Sequence, residues 1–197
     1  QEKYLNIILS ETDRLTNLTS NLLELNSFNG DNVLLDITTF NICETIVQTV
    51  NTLEGTAAKK EISFVLDYNT QKELLVEADE SKIHQVLYNL IDNAVKFSHN
   101  NSEIKISLRK KGAKVFVSVK DSGIGIPKES LNKVFDRFYK TDISRGKDKR
   151  GTGLGLSISK EIIQAHNQTI NVVSTVDVGT EFVFTLKYHS KKQEASS

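Results

Sequence analysis

Glu80-Ser81-Lys82-Ile83-His84-Gln85-Val86-Leu87-Tyr88-Asn89-Leu90-Ile91-Asp92-Asn93-Ala94-Val95-Lys96-Phe97 is the stretch on which the reading of this chain turns. Ile83, Val86, Leu87, Leu90, Ile91 and Ala94 recur at three- and four-residue steps, which predicts a helix over 80–97 with one apolar stripe. Asp79 stands where an N-cap belongs. Asn89, Asn93 and Lys96 fall at i, i+4 and i+7, within about 60° of one another at ~100° per residue, on a face roughly opposite the stripe. Asparagine costs roughly 0.6 kcal/mol relative to alanine inside a helix, so two of them one turn apart need a reason. A solvated face is one reading. The other is a ligand site, since amide oxygens are hard donors suited to Mg²⁺ and an ammonium suits a phosphate.

Working outward, the pattern predicts strands over 33–40, 61–68, 74–78, 103–109, 114–121, 169–175 and 181–188. Helices are predicted over 42–59, where Asn41 and Glu44 resemble a capping box, and over 154–166. One short helix is expected within 127–150. Strands and helices do not alternate regularly, which favours an α+β sandwich over a doubly wound sheet.

Two glycine clusters flank the short-helix region. Asp121-Ser122-Gly123-Ile124-Gly125-Ile126-Pro127 follows a strand, and its glycines permit a tight bend and close backbone approach. Asp121 suits an exocyclic amine such as that of adenine, or serves as a structural cap. A dinucleotide fingerprint is excluded, because neither a third glycine nor a helix follows Gly125. Arg150-Gly151-Thr152-Gly153-Leu154-Gly155-Leu156-Ser157 runs directly into a helix, where free N–H groups and the positive dipole end make a phosphate site; a structural loop is the alternative. It lacks the Gly-Lys-Ser/Thr ending of a P-loop. Between the clusters lie Arg137, Lys140, Arg145, Lys147, Lys149 and Arg150, a basic run that reads as a lid over anionic phosphates or as a solvated loop. Phe135, Phe138 and Tyr139 would anchor it.

Bulk properties narrow the classes. Net charge is zero, with 25% charged residues, so there is no general footprint for nucleic acid. No apolar run approaches the ~18 residues of a membrane span. The single cysteine, Cys43, excludes an internal disulfide framework and reads as a packed thiol. Tyr4, Ile8, Leu15, Leu18, Leu22 and Leu25 give residues 4–28 heptad character suited to partner helices, and Asn29-Gly30-Asp31-Asn32 is a break after them. With no methionine and Gln1 at its start, the sequence reads as a piece of a longer protein.

In this order the motifs resemble the histidine kinase branch of the gyrase/Hsp90-like ATPase superfamily. Residues 89–96 resemble its N box and residues 121–125 its G1 box. Phe135-Asp136-Arg137-Phe138-Tyr139-Lys140 is similar to the F box, residues 151–156 to the G2 box, and Gly179-Thr180-Glu181-Phe182 to the G3 box. Glu11-Thr12-Asp13-Arg14-Leu15 and Leu22-Leu23-Glu24-Leu25 resemble the second helix of the dimerisation domain. The resemblance implies a two-layer sandwich with a mixed sheet of about five strands covered by three helices, of Bergerat type, preceded by a coiled-coil-like helix. It divides the chain into part of the dimerisation domain (1–28) and an ATP-binding catalytic domain (29–189); the polar composition of residues 190–197 reads as a disordered tail.

It also implies roles. Asn93 would coordinate Mg²⁺ and Asn89 would help hold the metal–triphosphate. Lys96 and Lys140 would contact phosphates, with Asn89 and Lys96 the catalytic pair. Asp121 would recognise adenine beside Gly123 and Gly125. Gly151, Thr152, Gly153, Leu154 and Gly155 would shape the phosphate loop, and Thr180 would lie near the base. Two departures stand out: Arg150 where a glycine often precedes the G2 box, and Asn167-Gln168 in place of a glycine pair, of which asparagine tolerates left-handed angles.

Hydrolysing members carry a glutamate where Asn89 stands. An amide cannot activate water, so the γ-phosphate is kept for another nucleophile. The four histidines, His84, His99, His166 and His189, all lie outside residues 1–28. The first and third read as structural and the other two as surface residues. The acceptor is therefore expected upstream of Gln1. The implied protein is a cytoplasmic histidine kinase fragment, from a full-length protein anchored in the membrane. Its partners are ATP, a second copy through dimerisation helices, and a response regulator. A serine kinase of the anti-sigma-factor type and a nucleotide-binding regulatory module remain as alternatives.

Overall fold

The computed structural model describes Leu5, Leu9, Glu11, Thr12, Leu15 and Thr16 together with residues 18–23, 34–68, 73–141 and 151–190. Its elements are β1 (Thr38–Asn41), α1 (Ile42–Ala58), β2 (Ser63–Asp67), β3 (Leu75–Ala78), α2 (Glu80–Phe97), β4 (Glu103–Lys111), β5 (Lys114–Lys120), a 3₁₀ turn (Lys128–Ser130), α3 (Gly155–Ala165), β6 (Ile170–Thr175) and β7 (Gly179–Tyr188).

Period-two patterning makes a sheet with one dry face. Ile104, Ile106, Val115, Val117, Phe184 and Leu186 are fully buried on it, while Lys105, Arg109, Lys114, Lys120 and Lys187 on the opposite face are exposed. Helix α2 sets Ile83, Val86, Leu87, Leu90 and Ile91 into that core with no residual exposure, and it packs against both α1 and α3. This is the α+β two-layer sandwich the sequence predicts.

The sheet has seven strands in the order β1-β3-β7-β5-β4-β2, with β6 added to β7, rather than about five. One edge of β7 pairs with β5 from Lys187 to Glu181. Its other edge is divided, with β6 taking Gly179 to Phe184 and β3 taking Lys187 and Tyr188. Only β2 and β4 run parallel; the other pairs are antiparallel.

The caps explain where the helices begin. Asn41 Oδ1 accepts from the Cys43 N–H at 3.3 Å and from the Leu74 N–H at 3.1 Å, while its amide donates to Glu44 at 2.9 Å. Because Asn41 must cap α1, β1 ends there. It also starts later than expected: residues 34–37 are not strand, and Leu34 is 95% exposed, since β3 offers a partner only four residues long. Asp79 Oδ1 accepts from Lys82 N–H at 3.1 Å and from Ser81 Oγ at 2.7 Å. The N–H of Asp79 donates to His166 Nε2 at 2.9 Å, and Nδ1 of that ring lies 2.8 Å from the Ile162 carbonyl. His166 is thus the structural residue expected, joining the end of α3 to the start of α2. Asn167 does take a left-handed angle, φ 56°. Cys43 is buried.

Each described residue between Leu5 and Leu23 is helical. The expected break at 29–32 and residues 191–197 of the expected tail lie outside the described residues. The short helix expected within 127–150 is a single 3₁₀ turn followed by turns up to 138 and irregular chain over 139–141; residues 142–150 lie outside the described residues.

Candidate functional site

Between α2, the loop after β5 and the start of α3 lies a cleft of about 220 Å³. Its walls come from elements fixed by the core, so each side chain has a defined place. At the closed end stands Asp121, the residue after β5, only 5% exposed. Its Oδ1 accepts from the Gly123 N–H at 2.9 Å and the Thr180 N–H at 3.2 Å. Oδ2 has no such partner among the described residues, so it is the atom offered to the cleft. Burial pushes this carboxyl up to about 6, against the two backbone donors that hold it down. Ile124, Ile126, Val134, Leu156 and Phe182 give the same cleft apolar surface. A carboxylate edge between apolar walls fits a flat ring that presents an amine.

Gly125 lines the cleft but Gly123 does not. At Gly123 an added Cβ would run into the Phe97 carbonyl, and Gly125, at φ +67°, lies against the Thr175 carbonyl. The close approach that these glycines permit is to neighbouring backbone. They weld the loop to the end of α2, through Ser98 and Gly123, and to the β6–β7 turn.

Away from Asp121 the lining turns polar. Asn89 Nδ2 donates to the Gly155 carbonyl at 3.2 Å and to Ser159 Oγ at 3.4 Å, which leaves Oδ1 as its remaining polar atom. Asn93 lines the cleft one turn on. Lys96 also lines it but is ion-paired at 2.7 Å with Asp92, which sequence reading had not placed in the site. Lys140, Gly151, Thr152, Gly153, Gly155 and Thr180 all lie in the lining as well. Leu154 does not: it is fully buried in the core, and its place in the motif is to anchor the loop. Helix α3 begins with no side-chain cap and no acidic residue in its first turn, so its first N–H groups are left for an anion. The Phe138 N–H donates to the Gly153 carbonyl at 3.0 Å, tying the F-box segment to the same loop. Of the expected lid, Arg145, Lys147, Lys149 and Arg150 lie outside the described residues.

Sequence reasoning gave no site role to Asn21, Asp92, Ala94, Phe97, Val134, Tyr139, Thr141 and Phe182, all of which line the cleft. Asp92, Ala94, Tyr139 and Phe182, like Ile124, Ile126 and Leu156, stood inside the quoted motifs without an assigned contact. Phe182 alternates with Phe184 on β7, which placed it on the inner face without saying what it met. Asn21 gave no local signal. Among the described residues no helix is long and apolar enough to cross a membrane.

Residues 78–190 match the family described as histidine kinase-, DNA gyrase B-, and HSP90-like ATPase. The chain belongs to this family of nucleotide-binding domains, on the branch of the sensor histidine kinases. It is 35% identical over 194 residues to the sensor histidine kinase WalK of Bacillus subtilis (strain 168), covering 98% of this chain and 31% of that protein. Thus the chain spans about a third of that relative's length. The solved catalytic domain of histidine kinase ThkA is 36% identical with a TM-score of 0.68, over 78% of this chain and 96% of that one. ThkA in complex with response regulator protein TrrA is 34% identical with a TM-score of 0.73, over 95% of this chain and 51% of that one.

Proposed function

We propose that this chain binds Mg²⁺–ATP and donates the γ-phosphate to a histidine carried outside these 197 residues, for onward transfer to a response regulator. The observation that carries it is the polarity of the cleft. A buried carboxylate with one free oxygen stands among apolar side chains at one end, with amides, lysines and an uncapped helix N-terminus along the rest. Adenine presents an amine donor to Asp121, whereas guanine would set a carbonyl oxygen against it. The triphosphate then runs along Asn89 and Asn93 to Lys140 and the N–H groups of Gly155 and Leu156.

The donor set fits a hard cation. Amide oxygens suit Mg²⁺, and no group of three His, Cys, Asp or Glu capable of holding a metal occurs among the described residues. An ion here would share phosphate oxygens, as Mg²⁺ commonly does. In this reading Asn93 ligates it and Asn89 positions the metal–triphosphate. When bound, the ion neutralises charge developing on the transferred phosphoryl group. Asn89 cannot take a proton from water, so hydrolysis is not assisted and the phosphoryl group waits for an imidazole, already nucleophilic near neutral pH. Lys96 contacts phosphate by exchanging its Asp92 partner for the anion.

Residues 1–28 are read as part of the dimerisation domain through which two copies associate, and residues 29–189 as the catalytic domain. WalK and ThkA are named histidine kinases and ThkA is solved with its response regulator, which supports that partner class. Titration of the chain with ATP and GTP, each with and without Mg²⁺, tests the reading. Mg²⁺-dependent binding that favours ATP is expected, and equal affinity for both nucleotides would overturn it.

A further inference from the structure

One residue in the cleft comes from far outside the rest of its lining, all of which lies between Asn89 and Phe182. Asn21, on the N-terminal helical segment, is half-buried and lines the cavity. The next residue, Leu22, packs against the core of the catalytic domain, and Leu18, one turn back on the same face, is half-buried. Leu15 and Leu23 are exposed. Residues 18, 21 and 22, spaced by three and four, are therefore the face with which this helix sits on the domain.

Asp121 is buried at the cleft wall. A base held against it extends its phosphates along the rest of the lining, to which Asn21 belongs together with Asn89, Asn93 and Lys140. The Asn21 carboxamide makes no hydrogen bond among the described residues. An amide is apt for that place, because it donates to an anion without adding a charge that would hold the anion permanently.

On the reading of the cleft as an ATP site, we propose that the Asn21 carboxamide donates to the terminal phosphate of a bound nucleoside triphosphate. The dimerisation helix thereby distinguishes triphosphate from diphosphate. Leu18 and Leu22 hold the helix in reach, and Asn21 supplies the contact that a diphosphate is too short to make.

Calorimetric titration of the 197-residue chain with Mg²⁺–ADP and with a non-hydrolysable Mg²⁺–ATP analogue tests this. Asn21→Ala is expected to weaken the analogue about tenfold, the worth of one charge-assisted hydrogen bond, with ADP unchanged. Asn21→Asp, which sets a carboxylate against the phosphate, is expected to weaken the analogue further. Leu22→Glu unseats the helix while keeping Asn21, and is expected to reproduce the triphosphate-selective loss with the melting transition intact. Unchanged analogue affinity in Asn21→Ala, or an equal loss for ADP, overturns this inference alone. A wild-type chain that binds neither nucleotide overturns the ATP reading and this inference together.

Discussion

The side-chain amide of Asn89 donates to the main-chain carbonyl of Gly155 at 3.2 Å, across 66 residues of sequence. A residue on the middle of α2 thereby fixes the first turn of α3, and with it the N–H groups that face the cleft. Ser159 closes the arrangement, since its hydroxyl donates to the same carbonyl at 2.9 Å and lies 3.4 Å from the amide. Asn89→Ala is expected to cost about 1–2 kcal/mol of stability, the loss of a half-buried hydrogen-bonded amide. Nucleotide affinity is expected to fall more than tenfold, because the anion site loses its support. Urea unfolding and calorimetry on the same variant separate the two, and unchanged affinity would show that α3 keeps its place unaided.

Asp121 yields a pH prediction with an uncommon sign. Burial raises its carboxyl from an ordinary 3.8 to about 6, so between those values the folded chain binds more protons than the unfolded one. Stability is therefore highest below pH ~4 with respect to this group and declines as pH rises through about 6. A rise of that size corresponds to about 3 kcal/mol. Asp121→Asn keeps the Oδ1 acceptor, removes the buried charge and is expected to melt higher than wild type at pH 8. The gap should narrow toward pH 4.5 in paired thermal scans. ATP binding is expected to be lost, because the amide would set a donor against adenine's amine, and the ratio of GTP to ATP affinity should rise.

Gly125 and Gly55 make a contrasting pair. Gly125 has φ +67° and lies against the Thr175 carbonyl, whereas Gly55 is on α1 with open space where a side chain would go. Gly55→Ala is expected to stabilise by roughly 0.5–1 kcal/mol through helix propensity. Gly125→Ala is expected to destabilise by more than about 2 kcal/mol, because it adds backbone strain to a clash with main chain. Chemical denaturation of both variants checks the order; a harmless Gly125→Ala would mean that the β6–β7 turn can move aside.

With γ-labelled ATP and Mg²⁺, the chain alone is expected to acquire no acid-labile phosphate. Of its histidines, His166 is bonded to Asp79 and Ile162, and His189 lies 3.1 Å from Glu77. A separate protein bearing the acceptor helix should become labelled, slowly, because mixing lacks the effective concentration of a covalent tether. Stable label on His84, His99, His166 or His189 would overturn the assignment of an acceptor elsewhere.

Much of this was legible locally. The amide spacing on α2, the aspartate after β5 and the glycines before α3 each lie within a few residues of sequence, and each reaches the cleft. The failures concern long-range geometry. That Gly123 faces Phe97 and not the cleft depends on a contact between segments distant in sequence, and Leu154, in the middle of a motif, is buried by packing that the motif does not encode. The divided edge of β7 has no sequence mark, so seven strands are legible along the chain while a sheet of only about five was expected. Asn21 was hidden for the same reason: the heptad pattern that flags Leu18 and Leu22 as contact residues is silent on which surface they contact.

Helix α2 gives its apolar stripe to the centre of the core and its polar residues to the cleft. No layer of protein separates the two, so the cleft cannot loosen without the core, nor the core without the cleft. Occupancy is then readable as heat resistance. Nucleotide at a hundredfold over its Kd adds about 2.7 kcal/mol to the folded state. In a domain of this size that should raise the melting midpoint by roughly 5–10 °C. The rise should come as a single sharper transition of the whole domain, and a separate early melting phase for the cleft should be missing.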